Sequence, residues 1–277
     1  ERAGADASGR VGCISSLVSD TYDAGLYAAV HDGNPGDVEF YRARCAGARS
    51  VLELGCGDAR VLASLAAPGR VRVGVDIDDE LLELARARLA GSESPEATER
   101  VELELVHADM ADPTLLVGRR FDRIVIPHGG LYCLLDDETL AATLRNVARL
   151  LAPGGQLILD AWAADEFHRE SEPDDQVESW LERVKSVELE GDEWEVLERS
   201  RWDKPTQRID ATYLHVRVGD EEAVEGLLRQ RYLTSDQLRE RLSAAGFDRI
   251  ELAGGFAGEP WDDDADLLVV VAHAPLH

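Results

Sequence analysis

The 277-residue chain is nearly without lysine: Lys185 and Lys204 are the only two, and 29 basic side chains stand against 55 acidic ones, a net charge of −26. A protein that neutralises phosphates needs a clustered positive surface. No cluster of Lys and Arg occurs, which argues against binding to DNA, RNA or an anionic membrane. The acid excess reads as solubility or adaptation to salt. Cysteine is scarce as well. Cys13, Cys45, Cys56 and Cys133 lie far apart, with no C-x-x-C pair and no histidines at metal-ligand spacing. That pattern supports neither a disulfide framework nor a metal site, and a reduced cytoplasmic protein is expected. No basic region followed by an apolar run opens the chain, so no signal peptide is expected. The longest apolar run, "LLVVVAHA" at 267–274, is too short to cross a bilayer and reads as a buried strand.

What is present suits a globular α/β protein: 44% of the residues are hydrophobic, enough for a substantial core at this length. Two stretches are less committed, the first twenty or so residues and the acidic "ESEPDDQVES" around Pro173. From Ser50 onward strand and helix alternate. Strands are expected at 50–54, 70–76, 101–109, 121–127 and 156–162, with helices at 58–67, 78–91 and 137–151 between them. Leu140, Leu144, Val147 and Leu151 form one stripe, and "PGG" stops that helix. Such alternation implies right-handed crossovers and a doubly wound, mostly parallel sheet.

The regularity breaks between about 163 and 233. "EWEVLERSRW", "QRIDATYLHVRV" and "VEGLLRQRYL", separated by turn-like segments, read as an inserted antiparallel meander whose tryptophans form its own core. A helix from Thr234, with capping-box spacing to Gln237, and two final strands complete the chain. The division is therefore a tail and helical lid (1–49), an α/β core (50–162), a cap (163–233) and the end of the core (234–277). Strands inserted there would cover the open end of the sheet. A dimer surface competes with that role.

The stretch "VLELGCGDAR" (51–60) places Gly55 and Gly57 directly after a strand that ends with Glu53-Leu54. Glycines there let the backbone turn sharply and approach a ligand, and the helix start that follows offers oriented N–H groups. A dinucleotide fingerprint would put Gly or Ala where Arg60 stands, and Glu53 would repel a pyrophosphate. A nicotinamide enzyme is thus a distant reading. An acid beside the turn suits a ligand with positive charge. Asp76 ends the second strand, where a carboxylate can accept from both hydroxyls of a ribose. Asp109 ends the third, placed for an adenine amino group, with the N–H of Met110 beside it.

These residues resemble the class I methyltransferases that use S-adenosylmethionine, closely over 51–162 and more loosely over the final helix and strands. The resemblance implies a seven-stranded sheet whose last strand runs antiparallel. It implies that Glu53, Gly55 and Gly57 surround the methionine end of the cofactor and that Asp76 holds the ribose. Ile77, Asp109 and Met110 would then contact the adenine, and Pro127 the cofactor after the fourth strand. One position departs: where the family often has a third glycine, this chain has Ala59. Tyr22 and Tyr27 lie in a segment similar to the lid of small-molecule members, Tyr27 as a cofactor contact and Tyr22 as packing or an acceptor contact.

The expected activity is methyl transfer to a nitrogen or oxygen of a small molecule, the alternative being cofactor binding without transfer. His128, in "IPHGG", is the candidate base, because imidazole titrates near neutrality. Tyr132 could hydrogen-bond the acceptor. Asp160 at the end of the fifth strand, and His215 and Arg231 in the cap, are candidate acceptor contacts, each with a plain structural role as competitor.

Overall fold

The computed structural model describes residues 22–92, 102–171, 181–220 and 223–275. The expectations for the first twenty residues with Cys13, for most of the stretch around Pro173, and for Val101 at the start of the third strand lie outside them, as does Trp180. Strands β1 (Ser50–Leu54), β2 (Val71–Asp76), β3 (Leu103–His107), β4 (Phe121–Ile126), β5 (Leu151–Trp162), β10 (Arg249–Ala253) and β11 (Leu267–His273) form one sheet. Their order is β10-β11-β5-β4-β1-β2-β3, with β11 antiparallel to both of its neighbours and all other pairs parallel. The order reverses between β1 and β4, and a ligand crevice opens beyond the carboxyl ends of strands at such a point.

The apolar strands are buried on both faces. Leu52, Leu54, Ile124 and Ile126 pack into one core with α5 (Asp137–Leu150) and α7 (Ser235–Ala244), while Val51, Val125 and Ile158 pack into another with α2 (Asp37–Arg44) and α3 (Arg60–Ser64). α4 (Asp79–Ser92) follows β2, and α7 carries the expected capping box of Thr234 and Gln237.

Two boundaries differ from expectation. α3 has five residues, because Gly55, Gly57 and Ala59 take left-handed conformations (φ 68°, 52° and 61°) and hold the chain out of the helix until Arg60. β5 begins at Leu151. Pro153, Gly154 and Gly155 are accommodated inside it, where its register against β4 shifts.

The cap is a four-stranded antiparallel sheet, β6 (Glu182–Leu189), β7 (Asp192–Asp203), β8 (Arg208–Arg217) and β9 (Ala223–Arg231), in sequence order. A short helix not expected from the sequence, α6 (Asp165–Glu170), precedes it. α1 (Ala24–Val30) buries Leu26 against Val187, Trp194, Val196, Ala211 and Tyr213 of the cap. Trp194 is thus cap core, and Trp202 packs against Phe167. The loop 31–36 then leads into α2. None of the described helices is long and apolar enough to cross a membrane.

Candidate active site

Three adjoining hollows lie over the carboxyl ends of β1, β2 and β4. The first, on the β2 side, is lined by Tyr27, Asp76, Ile77, Asp109 and Met110. Asp76 stitches its floor together: Oδ2 accepts from the Gly57 N–H at 2.6 Å and Oδ1 from the Asp78 N–H at 3.0 Å. Burial raises its pKa, and those hydrogen bonds work against the rise. Beside it Ile77 is 67% exposed, a large apolar side chain left bare at the mouth of a hollow. The exposed Asp109 accepts from the Ala111 N–H at 2.8 Å.

The middle hollow runs past Gly55 and Gly57 to Glu53, Arg60, Pro127 and His128. Glu53 is 3% exposed, and its Oε2 has no hydrogen-bond partner. Burial pushes its carboxyl well above the usual range, although Arg60 pulls the other way. A buried acceptor without a donor is costly unless a ligand supplies one.

The third hollow, of 320 Å³, lies between the core and the inner face of the cap, where Glu198, Tyr213, Leu228 and Gln230 face His31, His128 and Asp160. Asp160 is 1% exposed. Its Oδ1 accepts from the Tyr41 hydroxyl at 2.5 Å and the His128 backbone N–H at 3.0 Å, while its Oδ2 has no partner. Those two bonds and the one from the Gly129 N–H to the Asp160 carbonyl hold His128 in a left-handed conformation, φ 53°. His31 caps the end of α1, its ring 4.4 Å from that of Tyr27 and 6.2 Å from that of His128, with Nε2 buried and unpartnered. Burial first, and then the neighbouring His128, push its pKa down to about 3. Burial also lowers His128. Both imidazoles line the middle and third hollows alike, so they form the wall between them.

Residues 51–155, which hold the glycine turn and strands β1 to β4, match the family described as a methyltransferase domain. The sheet order and the glycine turn are those of the class I methyltransferase fold. Over 93% of the chain, and 91% of the relative, the sequence is 26% identical to the cypemycin N-terminal methyltransferase of a Streptomyces species. It is 29% identical to a dTDP-3-amino-3,4,6-trideoxy-α-D-glucopyranose N,N-dimethyltransferase of Streptomyces venezuelae, over 45% of this chain and 47% of that one. In fold it is similar to the CcbJ methyltransferase of Streptomyces caelestis, with a TM-score of 0.72 and 24% identity over 92% of this chain and 100% of the other.

The cofactor of the methyltransferase is S-adenosylmethionine, and the residues present suit it. The unpartnered, buried Glu53 Oε2 would accept from a ligand ammonium, the glycine turn leaves room for close approach, and the bare Ile77 offers an apolar face.

Four residues singled out in the sequence turn away from these hollows. Tyr132 lies in a single 3-10 turn, Gly130–Cys133, that directs Cys133 into the first two hollows and Tyr132 into the core. Its hydroxyl sits 2.9 Å from the Leu233 carbonyl and 3.3 Å from that of Trp162, so it is a structural anchor and not an acceptor contact. His215 is fully buried. Its Nδ1 donates to the Val224 carbonyl at 3.1 Å, and its Nε2 accepts from the Tyr22 hydroxyl at 3.0 Å. Both rings are therefore packing between lid and cap, as the plain reading of Tyr22 had it. Arg231 faces the opposite side of the cap, paired with Asp137 at 3.0 Å. His31, Glu198 and Gln230 line the third hollow and Tyr41 braces Asp160 behind it, although the sequence did not single them out. For His31 the signal was its place in the lid segment; for Glu198 and Gln230 it was strand alternation alone.

Proposed function

We propose that the methyltransferase moves the methyl group to the nitrogen of a small, polar amine. In this reading Glu53, Gly55 and Gly57 hold the methionine end of the cofactor and Asp76 its ribose. Ile77, Asp109 and Met110 surround the adenine, and Tyr27 and Pro127 close around the reacting end. When bound, S-adenosylmethionine supplies an electrophilic methyl group activated by its sulfonium. The chain's own task is to align the nitrogen, free its lone pair and exclude water.

The observation that carries the reading is the wall of two neutral imidazoles, His31 and His128, between the cofactor's hollow and an acid-lined one. Asp160 and Glu198 favour entry of an ammonium. Lys185 does not offset them, because its ammonium is engaged by Asp32 at 2.6 Å. His128 takes a proton from the incoming ammonium, and Asp160, behind its backbone, steadies the charge that results. His31, held neutral, presents Nε2 to the acceptor. A buried imidazole is too weak a base for an aliphatic hydroxyl, so the same wall favours nitrogen over oxygen. The names of the relatives support nitrogen as well. Cofactor binding without transfer expects a sealed apolar wall at this position, where two imidazoles and two carboxylates stand instead.

The test is turnover against a panel of amino sugars, amino-terminal peptides and matched alcohols, with His128→Ala and His31→Ala beside the native protein. Amines are expected to be methylated and alcohols not. His128→Ala should lower turnover by about 10²–10⁴, recovering as pH is raised, with cofactor affinity nearly intact. Methylation of alcohols alone, or full activity of both variants across pH, would refute the proposal.

A further inference from the structure

Arg60 has no part in the scheme above, yet it lines the middle hollow together with Glu53. It is the first residue of α3, directly after the glycine turn. Its Nη1 and Nη2 donate to Asp37 Oδ1 and Oδ2 at 2.9 and 2.5 Å, and the two side chains are 19% and 3% exposed. The lid loop is built onto this pair. The Asn34 N–H donates to Asp37 Oδ2 at 3.2 Å, and Gly33, at φ 91°, lies so close to the guanidinium that a Cβ there would collide with it. Asp37 engages two of the five N–H groups of the fork, which leaves donors at the hollow.

One hollow thus holds a guanidinium and, in Glu53, a buried carboxylate oxygen with no donor. A cation and an anion in one small cavity are the complement of an α-amino acid's carboxylate and ammonium.

We propose that Arg60 binds the carboxylate of the cofactor's methionine end while Glu53 takes its ammonium, and that Asp37 is the positioning residue that holds the guanidinium fork. The inference rests on S-adenosylmethionine as cofactor. It gives the site a means of rejecting sulfonium nucleosides that lack the carboxylate.

Calorimetric titration with S-adenosylmethionine and with its decarboxylated counterpart tests it without reference to turnover. The native protein should bind the former at least tenfold more tightly. Arg60→Gln should bring that ratio close to one while leaving affinity for the decarboxylated ligand within about threefold. Arg60→Lys should keep part of the preference, and Asp37→Asn should reduce it. A merely structural role for Arg60 would weaken both ligands alike, and that result overturns the proposal. So does a ratio that survives in Arg60→Gln and vanishes in Tyr27→Phe, which would give the carboxylate to the tyrosine. If Arg60→Gln does not fold, the native protein still decides: equal affinity for the two ligands refutes the role of Arg60 alone. Failure to bind either ligand removes the cofactor assignment and this inference with it.

Discussion

Glu53 is buried at a point where a carboxylate finds no donor in the protein itself, and this has a measurable consequence for stability. Its folded-state pKa lies above the ordinary 4.5, so the folded chain holds a proton that the unfolded chain has released. Stability is then highest below the ordinary carboxylate range and falls as pH rises toward the raised value. Asp160 and Asp76, also raised, act in the same sense. Glu53→Gln should flatten this slope in urea unfolding without ligand, raise stability at neutral pH, and weaken cofactor binding on the order of tenfold. A slope as steep as the native one would mean that Glu53 is not its source. Ala59 is a second residue under tension: buried, at φ 61° and ψ 31°, where an L side chain is disfavoured. Ala59→Gly should stabilise the protein by about 1 kcal/mol, read as a higher urea midpoint at constant slope. The acids Glu53, Asp76 and Asp109 were legible because each stands at a strand end beside the glycine turn. His31 was not, because only the packing of α1 on the cap brings its ring to His128.

At the level of elements, the strands and their alternation were legible and the aim of short turns was not. Tyr132 follows His128 by four residues, and the sequence left open whether a loop or a helix start lay between. The 3-10 turn settles it by placing Cys133 in the hollows and the tyrosine in the core. Tyr132→Phe should therefore cost about 1–3 kcal/mol of stability, as for a lost buried hydrogen bond, and leave the pH–rate profile unmoved. A displaced profile would return Tyr132 to the chemistry. The lid offers a matching case. Gly226 of β9 has no side chain, and the ring of Tyr22 fills the space that a Cβ would need. Gly226→Ala should push Tyr22 off His215, loosen α1 and raise KM for the cofactor several-fold, while its far-ultraviolet spectrum stays native. An unchanged KM would mean that the lid does not depend on this contact.

The whole molecule carries −26 charges, and at low ionic strength they repel one another across a compact surface. Screening shortens from about 30 Å at 0.01 M salt to about 8 Å at 0.15 M. The melting temperature should therefore rise with added salt, and a fall would show that surface ion pairs outweigh the repulsion. Composition made that charge legible but not its arrangement. On the cap, Asp210 lies opposite Arg201 and Arg229 in the strand register, and Arg208 lies opposite Asp203. Acids thus stand beside several of the arginines, while Arg208 also lies opposite Arg231. The separate antiparallel sheet was legible from the break in alternation. That its two junctions meet was not: the chain leaves the core after Trp162 and returns at Leu233, and one tyrosine hydroxyl reaches both carbonyls. A segment whose ends are already closed together can be exchanged, lengthened or shortened at little cost to the rest. Exchange of the cap strands would therefore remake the outer wall of the third hollow and the seat of α1 together, above strand ends that stay in place.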